Sequence, residues 1–158
     1  WECPYEGKVD SDVVLDIASQ MLSSGADEII LADTIGAANP SSVEHLFKKC
    51  VSEFGHEILS GHFHDTRAMA LANVCAALNE GIRKFDSCIG GLGGCPFAPG
   101  AAGNLATEDV ANMLHQMEYK TNIDLNKLSE IVLSLEEQLH APLGGRMSAW
   151  LSKKNKAS

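Results

Sequence analysis

The stretch Gly61-His62-Phe63-His64-Asp65-Thr66, preceded by the apolar pair Ile58-Leu59, is the part of the sequence that decides the fold. Side chains alternate across a β-strand, so His62 and His64 should share one face, roughly 7 Å apart along the backbone, with Phe63 on the other. Two imidazoles at the end of a strand make half of a metal site. The competing interpretation is two ordinary core or surface histidines, and the motif by itself leaves both open.

A repeating order of helix, glycine, strand and polar loop surrounds this motif. Gly25, Gly55 and Gly81 end three predicted helices at intervals of about 25–30 residues, the length of one α/β unit. The predicted helix caps are Ser11, Asn39 (followed by Pro40), and Asp65 or Thr66. The predicted strands are residues 28–31, the stretch that carries the two histidines, and residues 84–89. Short, uninterrupted apolar strands predict a sheet buried on both faces.

Two architectures fit this order, a doubly wound sheet and a (β/α)8 barrel. In both, the functional loops follow the carboxyl ends of the strands, which here are residues 33–40, 62–66 and 90–104. A barrel needs roughly 250 residues, so this chain would supply about half of one. Its first residue is Trp1, and we expect a cut through a longer protein. Thr107 and Asp124 are predicted to cap two further helices, whereas no periodicity predicts an element from Ala141 onward.

Composition and net charge exclude some classes of function. The net charge of -9 argues against general nucleic-acid binding, because nothing would offset phosphate repulsion. No stretch has the length of a membrane span, and no signal peptide is evident. Five cysteines without close pairing predict free thiols in a reducing compartment, with Cys50 and Cys75 at apolar helix positions.

The segment from Gly90 to Asn104 contains six glycines in fifteen residues. Such a loop is costly to order and can act as a hinged cover over a site. A phosphate cradle is disfavoured, because the Lys-Ser/Thr ending of a P-loop is missing. Cys95, at the middle of the loop, is either a harmless exposed thiol or a group used for proton transfer.

These stretches together resemble the C-terminal half of the 3-hydroxy-3-methylglutaryl-CoA lyase family. The matching stretches are residues 3–8, 33–36, 62–66, 90–98 and 103–109. They extend over residues 1 to about 140 in the family's order, and the run Gly91-Leu92-Gly93-Gly94-Cys95-Pro96 is specific. Related metal-dependent synthases and aldolases share the paired histidines and the later Gly103-Asn104, but they do not usually have this cysteine.

The resemblance implies a metal-dependent (β/α)8 TIM barrel that cleaves 3-hydroxy-3-methylglutaryl-CoA into acetyl-CoA and acetoacetate, with Mg²⁺ or Mn²⁺. It implies metal ligands at His62, His64 and Asn104, and a catalytic cysteine at Cys95. Asp33 matches an active-site acid, and Glu108 matches a second acid behind the asparagine. Either Asp33 or His62 would handle the substrate's hydroxyl proton.

Three polar residues in these matching stretches, Asp65, Asn104 and Glu108, also have a purely structural interpretation. Asp65 is expected to cap a helix, because alternation points it away from the histidines. Asn104 alone would be a turn residue, and Glu108 could decorate the first turn of a helix.

The resemblance also predicts the organisation of the chain. Residues 1–140 would be the C-terminal half of the barrel domain, and residues 141–158 a tail. The family's metal-binding aspartate and its neighbouring arginine lie in the N-terminal half, so that half is an expected partner, together with an acyl-CoA substrate and a second copy in a homodimer. The isolated half should be inactive and should hold Mg²⁺ poorly, favouring Zn²⁺, Ni²⁺ or Co²⁺.

Two alternative functions remain, a related aldolase or synthase and a non-catalytic half-barrel module. The compartment would be the cytoplasm of a bacterium or the mitochondrion of a eukaryote.

Overall fold

The computed structural model describes residues 1–94 and 103–156 of the chain. These divide into two compact units, one of residues 1–86 with Gly94 and the other of residues 87–93 and 103–156. Cys95 lies outside the described residues.

The first unit alternates strands and helices. Its elements are β1 (Glu2–Cys3), β2 (Gly7–Lys8), α1 (Ser11–Ser23), β3 (Ile29–Asp33), α2 (Pro40–Phe54), β4 (Leu59–Phe63) and α3 (Ala70–Asn79). β1 and β2 form a short antiparallel pair, while β3 and β4 pair in parallel through the crossover helix α2. Helix α2 packs against α3, and α3 packs against β4. This is the predicted α/β unit.

The register of β3 and β4 places Ala32 opposite His62 and Asp33 opposite Phe63. Opposite residues in paired strands point to the same face, so Asp33 and Phe63 share one face and Ala32 and His62 the other. On the second of these faces Ile30 is 54% exposed. Ser60, opposite Ile30 on the same face, is 5% exposed, so the prediction of a sheet buried on both faces is wrong at Ile30 and correct at Ser60.

The helix starts agree with the predicted capping in part. Asn39 caps α2 in a capping box, and Pro40 is the first helical residue, as predicted. Helix α1 is capped by Asp10, whose side chain accepts the N–H of Asp12 at 2.9 Å. Ser11 is itself the first helical residue, so the prediction of Ser11 as cap is wrong by one position.

The predicted third strand is not a continuous one. The N–H of Gly61 donates to the oxygen of Lys84 at 3.0 Å, and the N–H of Asp86 donates to the oxygen of Gly61 at 3.3 Å. These two bonds form a single parallel bridge between Gly61 and Phe85. A Cβ on Gly61 would lie 3.0 Å from the ring of Phe63 and 3.2 Å from that of Phe85, so glycine allows this close packing.

The second unit is helical. It contains a 3-10 turn (Ile89–Gly91) and the helices α4 (Thr107–Gln116), α5 (Leu125–Leu139) and α6 (Arg146–Lys156), which pack pairwise. Its buried apolar side chains include Val110, Leu128, Val132 and Leu151. This unit also has an isolated parallel bridge between Cys88 and Ala106.

Two helix starts in this unit were predicted, and one of them is correct. Asp124 caps α5 and accepts the N–H of Asn126 at 3.0 Å. Ala106 precedes α4, which makes Thr107 its first residue instead of its cap. The hydroxyl of Thr107 is instead 2.9 Å from that of Ser87.

Helix α6 has no counterpart among the predicted elements. Its amino end is held by Asp109 of α4, whose carboxylate accepts the N–H of Arg146 at 3.0 Å and that of Met147 at 2.7 Å. Immediately before it, the N–H of Gly144 donates to the oxygen of Gly90 at 2.8 Å. Across residues 1–94 and 103–156, no helix is both long and apolar enough to cross a membrane.

Candidate active site

His62 and His64 stand side by side at the carboxyl end of β4. Their ring centroids are 5.0 Å apart, with the rings inclined at 62°. His64 is buried, and His62 is intermediate in exposure. The prediction that the two imidazoles are neighbours on one face is confirmed.

Asp86 contacts His62, a relationship that the sequence did not reveal. Its Oδ1 atom lies 2.6 Å from Nδ1 of His62. This contact follows from the pairing of Gly61 with Phe85. The residues that come next in the two segments, His62 and Asp86, then lie side by side on the same face. That pairing could not be read from the sequence.

Asp33 ends β3 and is 2% exposed. Its Oδ1 accepts the N–H of Ala37 at 2.8 Å, and its Oδ2 accepts that of Ala38 at 3.0 Å. Burial raises the pKa of Asp33, and the two backbone hydrogen bonds oppose this rise without cancelling it. The carboxylate therefore organises its own loop and also binds a proton more readily than an ordinary aspartate.

Asp65 serves the amino end of α3, as the sequence indicated, although it is not the residue that caps the helix. Its Oδ1 accepts the N–H of Ala70, the first residue of α3, at 3.0 Å. The formal cap position is Met69, which makes no side-chain cap bond, so both predicted caps, Asp65 and Thr66, are wrong by position.

Asn104, in the second unit, has its amide orientation fixed by the backbone. Its Nδ2 donates to the oxygen of Leu92 at 2.8 Å. Its Oδ1 is buried and has no hydrogen-bond partner among the described residues. A buried amide oxygen without a partner is costly, and a cation would satisfy it.

Glu108 is fully buried in the first turn of α4. Its Oε2 accepts the N–H of Gly90 at 3.0 Å, while Oε1 has no hydrogen-bond partner among the described residues. The interpretation of Glu108 as surface decoration of a helix is therefore wrong. The carboxylate instead holds the turn from which the glycine-rich loop departs.

The donor types present suit a divalent cation in part. Within residues 1–94 and 103–156, no three His, Cys, Asp or Glu side chains cluster as a metal site. Two neighbouring imidazoles in the first unit and one unsatisfied amide oxygen in the second are suitable ligand types. A carboxylate ligand, which Mg²⁺ prefers, is not among these three side chains.

A parallel β-α-β unit with polar side chains at the carboxyl ends of its strands places the chain in the α/β class. That its sheet belongs to a TIM barrel follows from the comparison with known proteins. The HMGL-like family model matches residues 1–133. The chain belongs to this family, which confirms the resemblance found in the sequence.

Individual relatives support the membership of this family. A hydroxymethylglutaryl-CoA lyase of Bacillus subtilis is 46% identical over 144 residues, which are 91% of this chain and 48% of that protein. The crystal structure of the Bacillus subtilis HMG-CoA lyase superposes with a TM-score of 0.91 at 44% identity, covering 96% of this chain and 51% of that one.

An HMG-CoA lyase of Acinetobacter baumannii, solved in complex with coenzyme A and 3-methylmalate, gives a TM-score of 0.90 at 41% identity and covers 94% of this chain and 48% of that one. The chain thus spans about half the length of the relatives it matches.

Proposed function

We propose that this chain supplies about half of the barrel of a divalent-metal-dependent lyase that cleaves 3-hydroxy-3-methylglutaryl-CoA into acetyl-CoA and acetoacetate. The observation that carries the proposal is the 46% identity to a lyase of this name over 91% of the chain. The coenzyme A in the related crystal structure supports an acyl-CoA substrate. The barrel portion would end near residue 140, with residues 141–158 as a C-terminal extension of it.

His62, His64 and Asn104 are the proposed ligands of Mg²⁺ or Mn²⁺. The adjacent imidazoles and the unsatisfied Oδ1 of Asn104 support this assignment. When bound, the ion supplies Lewis-acid polarisation of the substrate's oxygens. A further carboxylate from the other half of the barrel would complete a ligand set suited to Mg²⁺.

The substrate's hydroxyl proton has two candidate acceptors, Asp33 and His62. His62 cannot accept a proton on a nitrogen that already binds a metal ion, so a ligand role for His62 assigns the proton to Asp33. The raised pKa of Asp33 supports that role. Against it, both of its oxygens already accept backbone N–H groups, and it lies on the strand face of Phe63 instead of that of His62.

Cleavage of the carbon–carbon bond leaves an acetyl-CoA enolate, which needs a proton. We assign this donation to Cys95 on the strength of the family resemblance. Glu108, through its bond to Gly90, holds one end of the loop on which that thiol stands.

The test is a lyase assay of the chain in two forms. With Mg²⁺, the isolated chain should show no turnover, whereas a complete barrel made by joining it to the first half of the Bacillus subtilis relative should release acetyl-CoA and acetoacetate. Robust turnover by the isolated chain would overturn the proposal that half a barrel is insufficient. Products other than these two from the complete barrel would favour an aldolase or synthase, and no turnover at all would favour a non-catalytic module.

The complete barrel and the isolated chain also test the proposed oligomeric state and metal preference. The complete barrel should form a homodimer, and the isolated chain should prefer Zn²⁺, Ni²⁺ or Co²⁺ over Mg²⁺. Cell fractionation would test the compartment, the cytoplasm for a bacterial source and the mitochondrion for a eukaryotic one.

A further inference from the structure

The contact between Asp86 and His62 determines which nitrogen of His62 is available for chemistry. An ionised carboxylate can only accept hydrogen bonds. The 2.6 Å contact between Asp86 Oδ1 and His62 Nδ1 therefore requires the proton of the neutral ring to sit on Nδ1. The lone pair of the ring then lies on Nε2, at the opposite edge.

The backbone, more than the side chains, holds these two residues together. Gly61 exchanges two backbone hydrogen bonds with the segment of Lys84 to Asp86, at 3.0 and 3.3 Å. This pairing sets Asp86 beside His62 on the same face. The partner of the imidazole is thus supplied by a neighbouring segment of fixed register, and the contact does not depend on a chance approach of two long side chains.

We infer that Asp86 is a positioning residue of the candidate active site: it fixes His62 in the Nδ1–H tautomer and presents Nε2 as ligand or base. The inference rests on the proposed function for the identity of the site, but not for the tautomer itself. Carboxylates that orient metal-binding histidines in this way typically change metal affinity or activity by 10–100-fold when removed.

The competing account is a surface contact without consequence. The side chain of Asp86 is 55% exposed and that of His62 is 23% exposed, so the Coulombic part of the contact is screened. The tautomer distinguishes the two accounts, because a contact without consequence would leave the ring to its own preference.

The primary experiment is long-range ¹H–¹⁵N NMR of the metal-free 158-residue chain. It is recorded at a pH about two units above the ordinary imidazole pKa of about 6.5, and the ¹⁵N shifts themselves report whether the ring is neutral. We expect His62 to carry its proton on Nδ1 in the natural chain and in Asp86→Asn, whose amide oxygen can still accept. We expect Asp86→Ala to shift the proton toward Nε2.

A matched control is Asp27→Ala, which removes the same charge from an exposed site just before β3, at the other end of the strand pair. It should leave the tautomer unchanged. An Nε2–H ring in the natural chain would overturn the inference, and so would an Asp86→Ala spectrum that matches the natural one, or an Asp86→Asn spectrum that matches Asp86→Ala.

A Co²⁺ titration of the same proteins separates this inference from the proposed function. We expect Asp86→Ala to weaken Co²⁺ binding about tenfold or more, with Asp86→Asn much closer to the natural chain. Absence of Co²⁺ binding by the natural chain would count against the proposed metal site and leave the tautomer result standing. Equal Co²⁺ affinity in the natural chain and Asp86→Ala would overturn the positioning role.

Discussion

The amide nitrogen of Asn104 donates to the main-chain oxygen of Leu92 over 2.8 Å, and this single bond decides which way the amide faces. Its oxygen is left buried without a hydrogen-bond partner in the described part of the chain. The next residue after Leu92 is Gly93, at φ +93°, and a Cβ there would lie 2.7 Å from Nδ2 of Asn104. A side chain at position 93 would therefore displace the Asn104 amide while leaving Asn104 itself in the sequence.

We expect Gly93→Ala to weaken Co²⁺ binding about tenfold, because the added methyl group must push the Asn104 amide from its position. The control is Gly55→Ala, which has a similar positive φ of +79° but open space around its Cβ. Both changes should cost about 1–3 kcal/mol in unfolding free energy, from the backbone strain they share. Metal titration and urea unfolding measure the two effects, and equal affinities in both variants would contradict a role for Asn104 as a ligand.

The pKa of Asp33, raised by burial above its ordinary value of 3.8, predicts a pH-dependent stability. A raised folded-state pKa means that the folded chain binds this proton more tightly than the unfolded chain. The contribution of the group to stability therefore falls as the pH rises from the unfolded value through the folded one. Asp33→Asn resembles the protonated group, so it should lack this decline and be at least as stable as the natural chain at neutral pH.

Asp33→Ala is the matched variant, because it leaves the N–H groups of Ala37 and Ala38 without their acceptor. It should cost about 1–3 kcal/mol. Urea unfolding from about pH 4 to pH 8 gives the difference between each variant and the natural chain. A loss of stability in Asp33→Asn that grows with pH would show that the hydrogen bonds outweigh burial.

The same aspartate separates the two candidate proton acceptors. In the complete barrel, Asp33→Asn should lower kcat by about 10²–10⁴ while KM and metal content stay near the natural values, if Asp33 takes the hydroxyl proton. Activity close to that of the natural barrel would instead assign the proton to His62 and would remove His62 from the proposed metal ligands.

Cys95→Ser in the complete barrel should lower turnover by about 10²–10⁴, because a hydroxyl group is a much poorer acid than a thiol near neutral pH. Metal content, measured in parallel, should not change. A matched loss of metal and activity would indicate a structural role for the thiol. Cys50→Ser is the control, since burial raises the pKa of Cys50 to about 11 and keeps that thiol un-ionised.

The start of α6 gives a prediction about stability alone. Asp109→Ala removes the acceptor of two N–H groups, those of Arg146 and Met147, and should cost about 1–2 kcal/mol. Asp109→Asn retains one acceptor oxygen and should cost less. Urea unfolding followed by far-ultraviolet circular dichroism measures both, and no loss in Asp109→Ala would show that packing alone holds α6.

Local signals predicted the parts of the fold that are held locally. The capping residues of α2 and α5, the glycines after the first helices and the alternation around His62 were all readable from neighbouring residues. Helix α6 was missed because its cap, Asp109, stands 37 residues earlier in the chain. Asp86 was missed for the same reason, since its pairing with β4 depends on tertiary register.

The ligand and acid assignments came from the resemblance, and single residues would not have supported them. Asn104 alone resembles a turn residue, and only its fixed amide with an unsatisfied oxygen distinguishes it. Glu108 occupies a position that is usually solvated in a helix, and its burial against Gly90 is a tertiary effect.

The pairing of Ala32 with His62 and of Asp33 with Phe63 has a consequence for how this sequence can change over time. Deleting or inserting one residue within β4 would exchange the imidazole side of the strand for the phenyl side, so the histidines would face the packed side of Phe63 and the aromatic ring would face the candidate site. A point substitution in β4 affects one position, whereas a change in its length reverses the face of every residue that follows. Viable descendants of this protein should therefore gain and lose residues in their connecting loops and keep the residue count of this strand.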